Sequence, residues 1–287
     1  MRSLRSLRLR SAVPAAALIL LIACGAAAQA DGMDVVRSFN PPGANPYGLD
    51  YVETSTGIGT LYHTDWYTGD VYSITTGGTA TLLFNVPDSI GQPYWNYTAA
   101  AICFVGDPDN QAAGTLYIVE PDRGGAPYYT IIRSFTLSGA HLNTWDVSDI
   151  IGRATGITFD GTHFWLIGYA DLVQCDTDFN LVQDHIVPWA VGDGGLDFDA
   201  PTNMLYNLSR GFQSLVVFER GAEFITHQQY IGGYGLTSLA IGHITRESRN
   251  LWLLDNSNIP SVIMEINDDY YDPVETATWG SIKALYR

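Results

Sequence analysis

Three carboxylates recur at one position of a repeated segment: Asp65, Glu120 and Asp255. Each ends a five-residue run, and the other two copies of that run end in Gly168 and Ser209. Oxygen ligands gathered from several strands around one mouth would suit Ca²⁺ or another hard divalent cation. The competing reading is local: short carboxylates often accept backbone N–H bonds within their own turns. The six histidines, at 63, 141, 163, 185, 227 and 243, form no ligand pair by spacing, and His63 is the one set between aromatic neighbours. Trp66, Tyr67, Trp95 and Tyr97 fall in expected loops. They could stack on a sugar or a peptide, or pack along sheet edges.

Other chemistry is missing from the pattern. No His-Glu-x-x-His, Gly-x-Ser-x-Gly or Walker A loop occurs, and Gly57-Ile58-Gly59 lacks the third glycine of a dinucleotide site. Asp176-Thr177-Asp178-Phe179-Asn180 starts like a calcium loop, but Leu181 stands where glycine is needed and Val187 where glutamate is needed. A turn between two strands accounts for it better.

The elements that would position these groups come from a repeat. Leu61-Tyr62-His63-Thr64-Asp65 returns as Leu116-Tyr117-Ile118-Val119-Glu120 and Phe164-Trp165-Leu166-Ile167-Gly168. It returns again as Leu205-Tyr206-Asn207-Leu208-Ser209 and Leu251-Trp252-Leu253-Leu254-Asp255. A near-continuous apolar run suits a strand buried on both faces. Upstream of each copy sits a short strand, often opened by glycine: Gly48-Leu49-Asp50-Tyr51, Ala100-Ala101-Ile102-Cys103, Gly156-Ile157-Thr158-Phe159, Gly195-Leu196-Asp197-Phe198 and Ser238-Leu239-Ala240-Ile241. Downstream comes a third strand, such as Val71-Tyr72-Ser73-Ile74 or Leu215-Val216-Val217-Phe218, and a fourth is expected after it.

Three or four strands recurring at intervals of 41 to 55 residues are the pattern of β-propeller blades. A single sheet cannot bury both faces, whereas sheets packed face to face in a ring can. The expected fold class is therefore all-β, a five-bladed propeller, with Asp34–Asn40 closing the last blade. Six blades is the alternative, because Asn85–Asn96 is ill-defined. A β-sandwich or two small β domains is the structural runner-up.

Units of the form Gly48-Leu49-Asp50-Tyr51, then Leu61 through Trp66-Tyr67-Thr68-Gly69-Asp70 to Ile74, resemble the NHL/SMP-30-like and YncE-like propellers of exported bacterial proteins. The resemblance covers most of residues 34–270. It implies the fold. In SMP-30-like hydrolases a metal near the channel mouth polarises a lactone carbonyl and activates water. The resemblance therefore also implies a metal-dependent hydrolase as an alternative, with Asp65, Glu120 and Asp255 as ligands. Gly168 and Ser209 depart from such a ligand ring, and the family's acidic and amide ligands are not matched one by one.

The ends add localisation. Arg2, Arg5, Arg8 and Arg10 precede an apolar run from Ala12 to Ala23, followed by small residues to Ala30. This is the form of a secretory signal over residues 1–30. Cleavage after Ala30 competes with lipidation at Cys24, which would be the only link to a membrane. The propeller is expected over 31–272. A tail at 273–287 would be a short docked helix, with Trp279, Ile282 and Tyr286 at helical spacing, or a recognition segment.

The chain has 287 residues, with 14 basic and 30 acidic side chains and a formal charge of −16. Loss of the leader would leave 10 basic against 30 acidic, a charge of −20. Such a surface repels phosphate backbones and argues against nucleic acid. Cys103 and Cys175 fall on differently placed strands and are not expected to bridge. The leading expectation is an exported, monomeric binding or scaffold module for a protein, peptide or glycan.

Overall fold

The structure is a computed structural model that describes residues 35–87, 99–121, 129–168, 171–186, 193–220, 225–230, 236–243, 249–256 and 260–267. The leader, with Cys24, and the 273–287 tail lie outside these residues. The described residues form five four-stranded antiparallel sheets.

The first blade runs outward as β2 (Pro46–Glu53), β3 (Gly59–Asp65), β4 (Asp70–Thr75) and β5 (Ala80–Asn85). The second holds β6 (Ala101–Val105), β7 (Thr115–Pro121), β8 (Thr130–Thr136) and β9 (His141–Asp146). The third holds β10 (Ala154–Phe159), β11 (Phe164–Gly168), β12 (Asp171–Cys175) and β13 (Leu181–Ile186). The fourth holds β14 (Leu196–Asp199), β15 (Met204–Ser209), β16 (Ser214–Glu219) and β17 (Ile225–Tyr230). The fifth combines β18 (Leu236–His243), β19 (Arg249–Asp255) and β20 (Val262–Asn267) with β1 (Val35–Phe39) as its outer strand.

Each inner strand touches the next, from β2 to β6, β10, β14 and β18, and β18 returns to β2. The sheets thus form a closed ring of five blades. The closing strand is the expected one: Phe39 pairs with Ile263 and Ser38 with Met264. Arg37 in this clasp is ion-paired with the buried carboxylate of Glu265.

The apolar second strand has a direct cause. Its successive residues serve two different interblade cores. Leu61 joins the cluster shared with blade five, and Tyr62 the cluster shared with blade two. Phe164 faces back toward blade two, and Trp165 forward toward blade four. Leu205 faces back into that same forward cluster from blade four. The aromatic at the second repeat position is therefore the large group each blade offers to its successor. Burial of one such ring stabilises by roughly 1.5–3 kcal/mol.

Register corrects one part of the repeat. Asp50 lies across from Tyr62, Asp197 across from Tyr206, and Cys103 across from Tyr117. Ala101-Ile102-Cys103-Phe104, not Ala100–Cys103, is thus the unit equivalent to Gly48–Tyr51. Cys103 and Cys175 are buried free thiols. The Asp176 segment is a turn: Asp176 accepts the N–H groups of Asp178 and Asn180, and Phe179 takes a φ of 60°.

Glycine opens the inner strands because the next blade is too close for a side chain. A Cβ on Gly156 would lie 2.7 Å from the Gly194 carbonyl oxygen and 2.9 Å from Leu196 Cβ. On Gly195 it would lie 2.5 Å from the backbone nitrogen of Leu239. Gly156→Ala is therefore expected to destabilise the protein by about 1–3 kcal/mol in urea unfolding. Gly211→Ala, with nothing within 4 Å of its added methyl, is the control and should be near neutral. Equal unfolding midpoints for the two variants would contradict the close approach.

Candidate functional site

Asp65 and Asp255 end their second strands and Glu120 stands one residue before the end of its own. Asp65 is fully buried. Its Oδ2 accepts the N–H of Asn45 at 2.8 Å, and its Oδ1 accepts those of Tyr67 and Thr68 at 2.9 and 3.0 Å. Glu120 is ion-paired with the buried Arg133, whose Nη2 also donates to the Pro87 carbonyl at 2.6 Å. Asp255 is buried at the end of β19, across from Leu236 and Val262. Among the described residues, no three His, Cys, Asp or Glu side chains are grouped to hold a metal ion. The expected ligand ring of Asp65, Glu120 and Asp255 is thus not assembled there.

His63 is a core histidine. It is fully buried, its Nδ1 lies 2.8 Å from the Gly48 carbonyl, and burial lowers its pKa to about 4. The ring is neutral at pH 7, so Nδ1–H donates to that carbonyl. Trp66 meets Tyr47 edge-on at 6.3 Å, which supports the packing reading, while Tyr67 is 70% exposed. Trp95 and Tyr97 lie outside the described residues.

A different set of groups meets at the axis. The third residue of each four-residue inner-strand unit (Asp50, Cys103, Thr158, Asp197 and Ala240) lies across from the repeat aromatic, and the polar ones among them reach the following blade. Asp50 Oδ2 accepts the N–H of Phe104 on β6 at 2.5 Å, and its Oδ1 accepts that of Tyr51 at 2.8 Å. Asp197 repeats the pattern, with Oδ2 taking the N–H of Ile241 on β18 at 2.7 Å and Oδ1 that of Phe198 at 2.7 Å. Thr158 donates across its own seam to Asp197 Oδ1 at 3.0 Å. At the seam between, the Phe159 N–H reaches the Cys103 sulfur. Inner-strand edges carry unpaired N–H groups that cost free energy when buried. These side chains satisfy them from the neighbouring blade.

The two carboxyls keep partial access along the axis but are walled by protein. Burial raises the pKa of Asp197 to about 6, against the pull of its three hydrogen-bond donors. Asp50 is pushed well up, first by burial and then by the charge of Asp197. The Cys103 thiol is raised by burial and by both carboxyls, so it is not a nucleophile at neutral pH.

At the far end of β2 from Asp65, a cavity of about 640 Å³ lies between blades one and two, with Ile241 of blade five also lining it. Its floor includes Tyr51, Phe104 and Ile241, each one residue beyond the axial position of its blade. Its rim includes Glu53, Ser55 and Asp109. The rings are held from behind. Tyr51 stacks on Trp252 at 5.9 Å, and Phe104 lies parallel to Tyr62 at 5.5 Å. The rim is tied across two blades: the Ser55 N–H donates to Asp109 Oδ1 at 2.7 Å, and the Tyr62 hydroxyl to Gln111 Oε1 at 2.9 Å. Both tyrosine hydroxyls are raised in pKa, mainly by burial, with Glu53 and Glu265 adding at Tyr51 and Asp50 at Tyr62. This cavity was not foreseen from the sequence. Its signal, aromatic or aliphatic residues recurring just after the axial position, is indistinguishable from a core pattern.

No protein-family model matches the chain, and no curated protein sequence matches it. Solved β-propellers are similar in fold. Virginiamycin B lyase from Staphylococcus aureus is 14% identical, with 79% of this chain and 68% of that one covered, at a TM-score of 0.44. A protein of unknown function from Bacteroides caccae is 12% identical over 80% and 84%, at 0.47. A nidogen/laminin complex gives 13% over 73% and 75%, at 0.44. The likeness is to propellers as a class and singles out neither NHL/SMP-30-like nor YncE-like proteins.

The axial carboxyls carry a pH signature. An acid whose folded pKa lies above its unfolded value stabilises fully below the unfolded pKa, and that stabilisation is lost as pH rises through the folded pKa. For Asp197 the window runs from 3.8 to about 6. The urea midpoint of the wild type should therefore fall across this window relative to that of Asp197→Asn. Parallel pH profiles for the two proteins would contradict the assignment.

Proposed function

We propose that this propeller is an exported binding module for a protein, peptide or glycan, and that it takes its ligand at the cavity between blades one and two, lined by Glu53, Phe104 and Asp109. The observation that carries the reading is the cavity itself. A concavity of about 640 Å³ is within the range of ligand pockets, and its mix of fixed rings and a few polar groups is the usual make-up of one. Pre-set rings cost little further entropy when a ligand arrives. The Arg-rich leader supports export, and the acidic surface suits an extracellular medium or cationic partners.

The test is a plug. Ser55 is exposed on the rim, so Ser55→Trp should fill the mouth without disturbing a core. Peptide and glycan arrays probed with wild type and with this variant should show ligands that the wild type retains and the variant loses, with unchanged melting. Ligands held equally by both proteins would place binding elsewhere and end this reading.

A further inference from the structure

The chemistry of the cavity narrows its occupant, on the reading that this cavity is the binding site. The half-buried Glu53 and the exposed Asp109 line it, and no Lys, Arg or His is among the described residues lining it. Arg37 is the cation felt by the Tyr51 hydroxyl, and it is already engaged by Glu265 and by the Thr76 carbonyl at 3.1 Å. The whole chain carries a formal charge of −16. A cleft of one sign with low-dielectric walls concentrates the opposite charge.

Between the carboxylates the walls are apolar: Val52, Pro108, Ile241 and the rings of Tyr51 and Phe104. An anion is repelled there. A small inorganic cation would leave the apolar wall uncovered. A long basic side chain matches both parts, with methylenes along the rings and a charged head at the rim. Guanidinium adds a planar fork for carboxylates and favourable stacking on aromatic faces.

We infer that the cavity between blades one and two is a docking site for an arginine side chain presented by a basic peptide segment of a partner protein. The arginine stem lies over Tyr51 and Phe104, and the guanidinium pairs with Glu53 and Asp109.

The experiment is an NMR titration of the full chain with a capped seven-residue peptide carrying arginine between two leucines. The comparison is the same peptide with citrulline, which keeps the shape and removes the charge. Saturable amide shifts confined to residues 52–57 and 104–109 are expected, with the citrulline peptide about tenfold weaker. Raising salt should weaken only the arginine peptide. Glu53→Gln and Asp109→Asn should each reduce its affinity several-fold and leave the citrulline peptide unchanged. Equal binding of the two peptides, or shifts outside these segments, would overturn the inference, as would the absence of shifts. Because citrulline tests charge on the unaltered protein, a misfolded variant does not decide the matter. A glycan or neutral peptide lost on Ser55→Trp would retain the cavity as the binding site while overturning the arginine assignment.

Discussion

Five inner strands meeting at one axis is the constraint from which the rest follows. Each strand pairs on one side only and turns its other edge toward its neighbours. Those edges carry backbone N–H groups that water reaches poorly. Asp50 and Asp197 answer for two seams by holding Phe104 and Ile241 of the next blade. Thr158 and Cys103 face the seams between. Ala240 occupies the fifth position, where the Tyr51 N–H is taken instead by Asp50 of its own blade. Closeness at the axis in turn favours small residues at the strand openings: glycine in three blades, Ala101 and Ser238 in the other two. The cost is a pair of carboxyls held where charge is disfavoured, which is why both are raised in pKa.

The same constraint builds the cavity. The residue after the axial position carries the captured N–H, and in blades one, two and five its side chain also lines the cavity. Tyr51, Phe104 and Ile241 reach the cavity in this way. Phe104 lies against Gly114, where a Cβ would sit 2.1 Å from its ring. The rim segments from blades one and two are then joined by Asp109 and Gln111. A rigid floor under a tied rim favours recognition of a partner's side chain over a wholesale change of shape.

The fold was legible because its main signal is periodic. An aromatic at the second position of every second strand, glycine before the inner strand and a lone strand at the start are consequences of ring packing. The same residues appear on opposite interblade cores. The phase of the second blade is harder to read, because a run of alanines stands where glycine marks blades one, three and four. The site was less legible. Asp65, Glu120 and Asp255 recur at one position, yet they do different work: Asp65 holds three backbone N–H groups and Glu120 pairs with Arg133. Asp50 and Asp197 recur in only two of five units, and their role depends on a neighbour far away in sequence. Glu53 and Asp109 belong to no repeat at all. They meet because two blades are adjacent, which no local pattern records.

Native-state hydrogen exchange tests the seam most directly. The amides of Phe104 and Ile241 are hydrogen-bonded across their seams and exchange when those bonds open. With Asp50→Ala, Phe104 should lose protection to a subglobal opening, while Ile241 stays protected to the level of global unfolding. Unchanged protection of Phe104, or equal loss at both amides, would contradict the account that these carboxyls tie neighbouring blades one seam at a time.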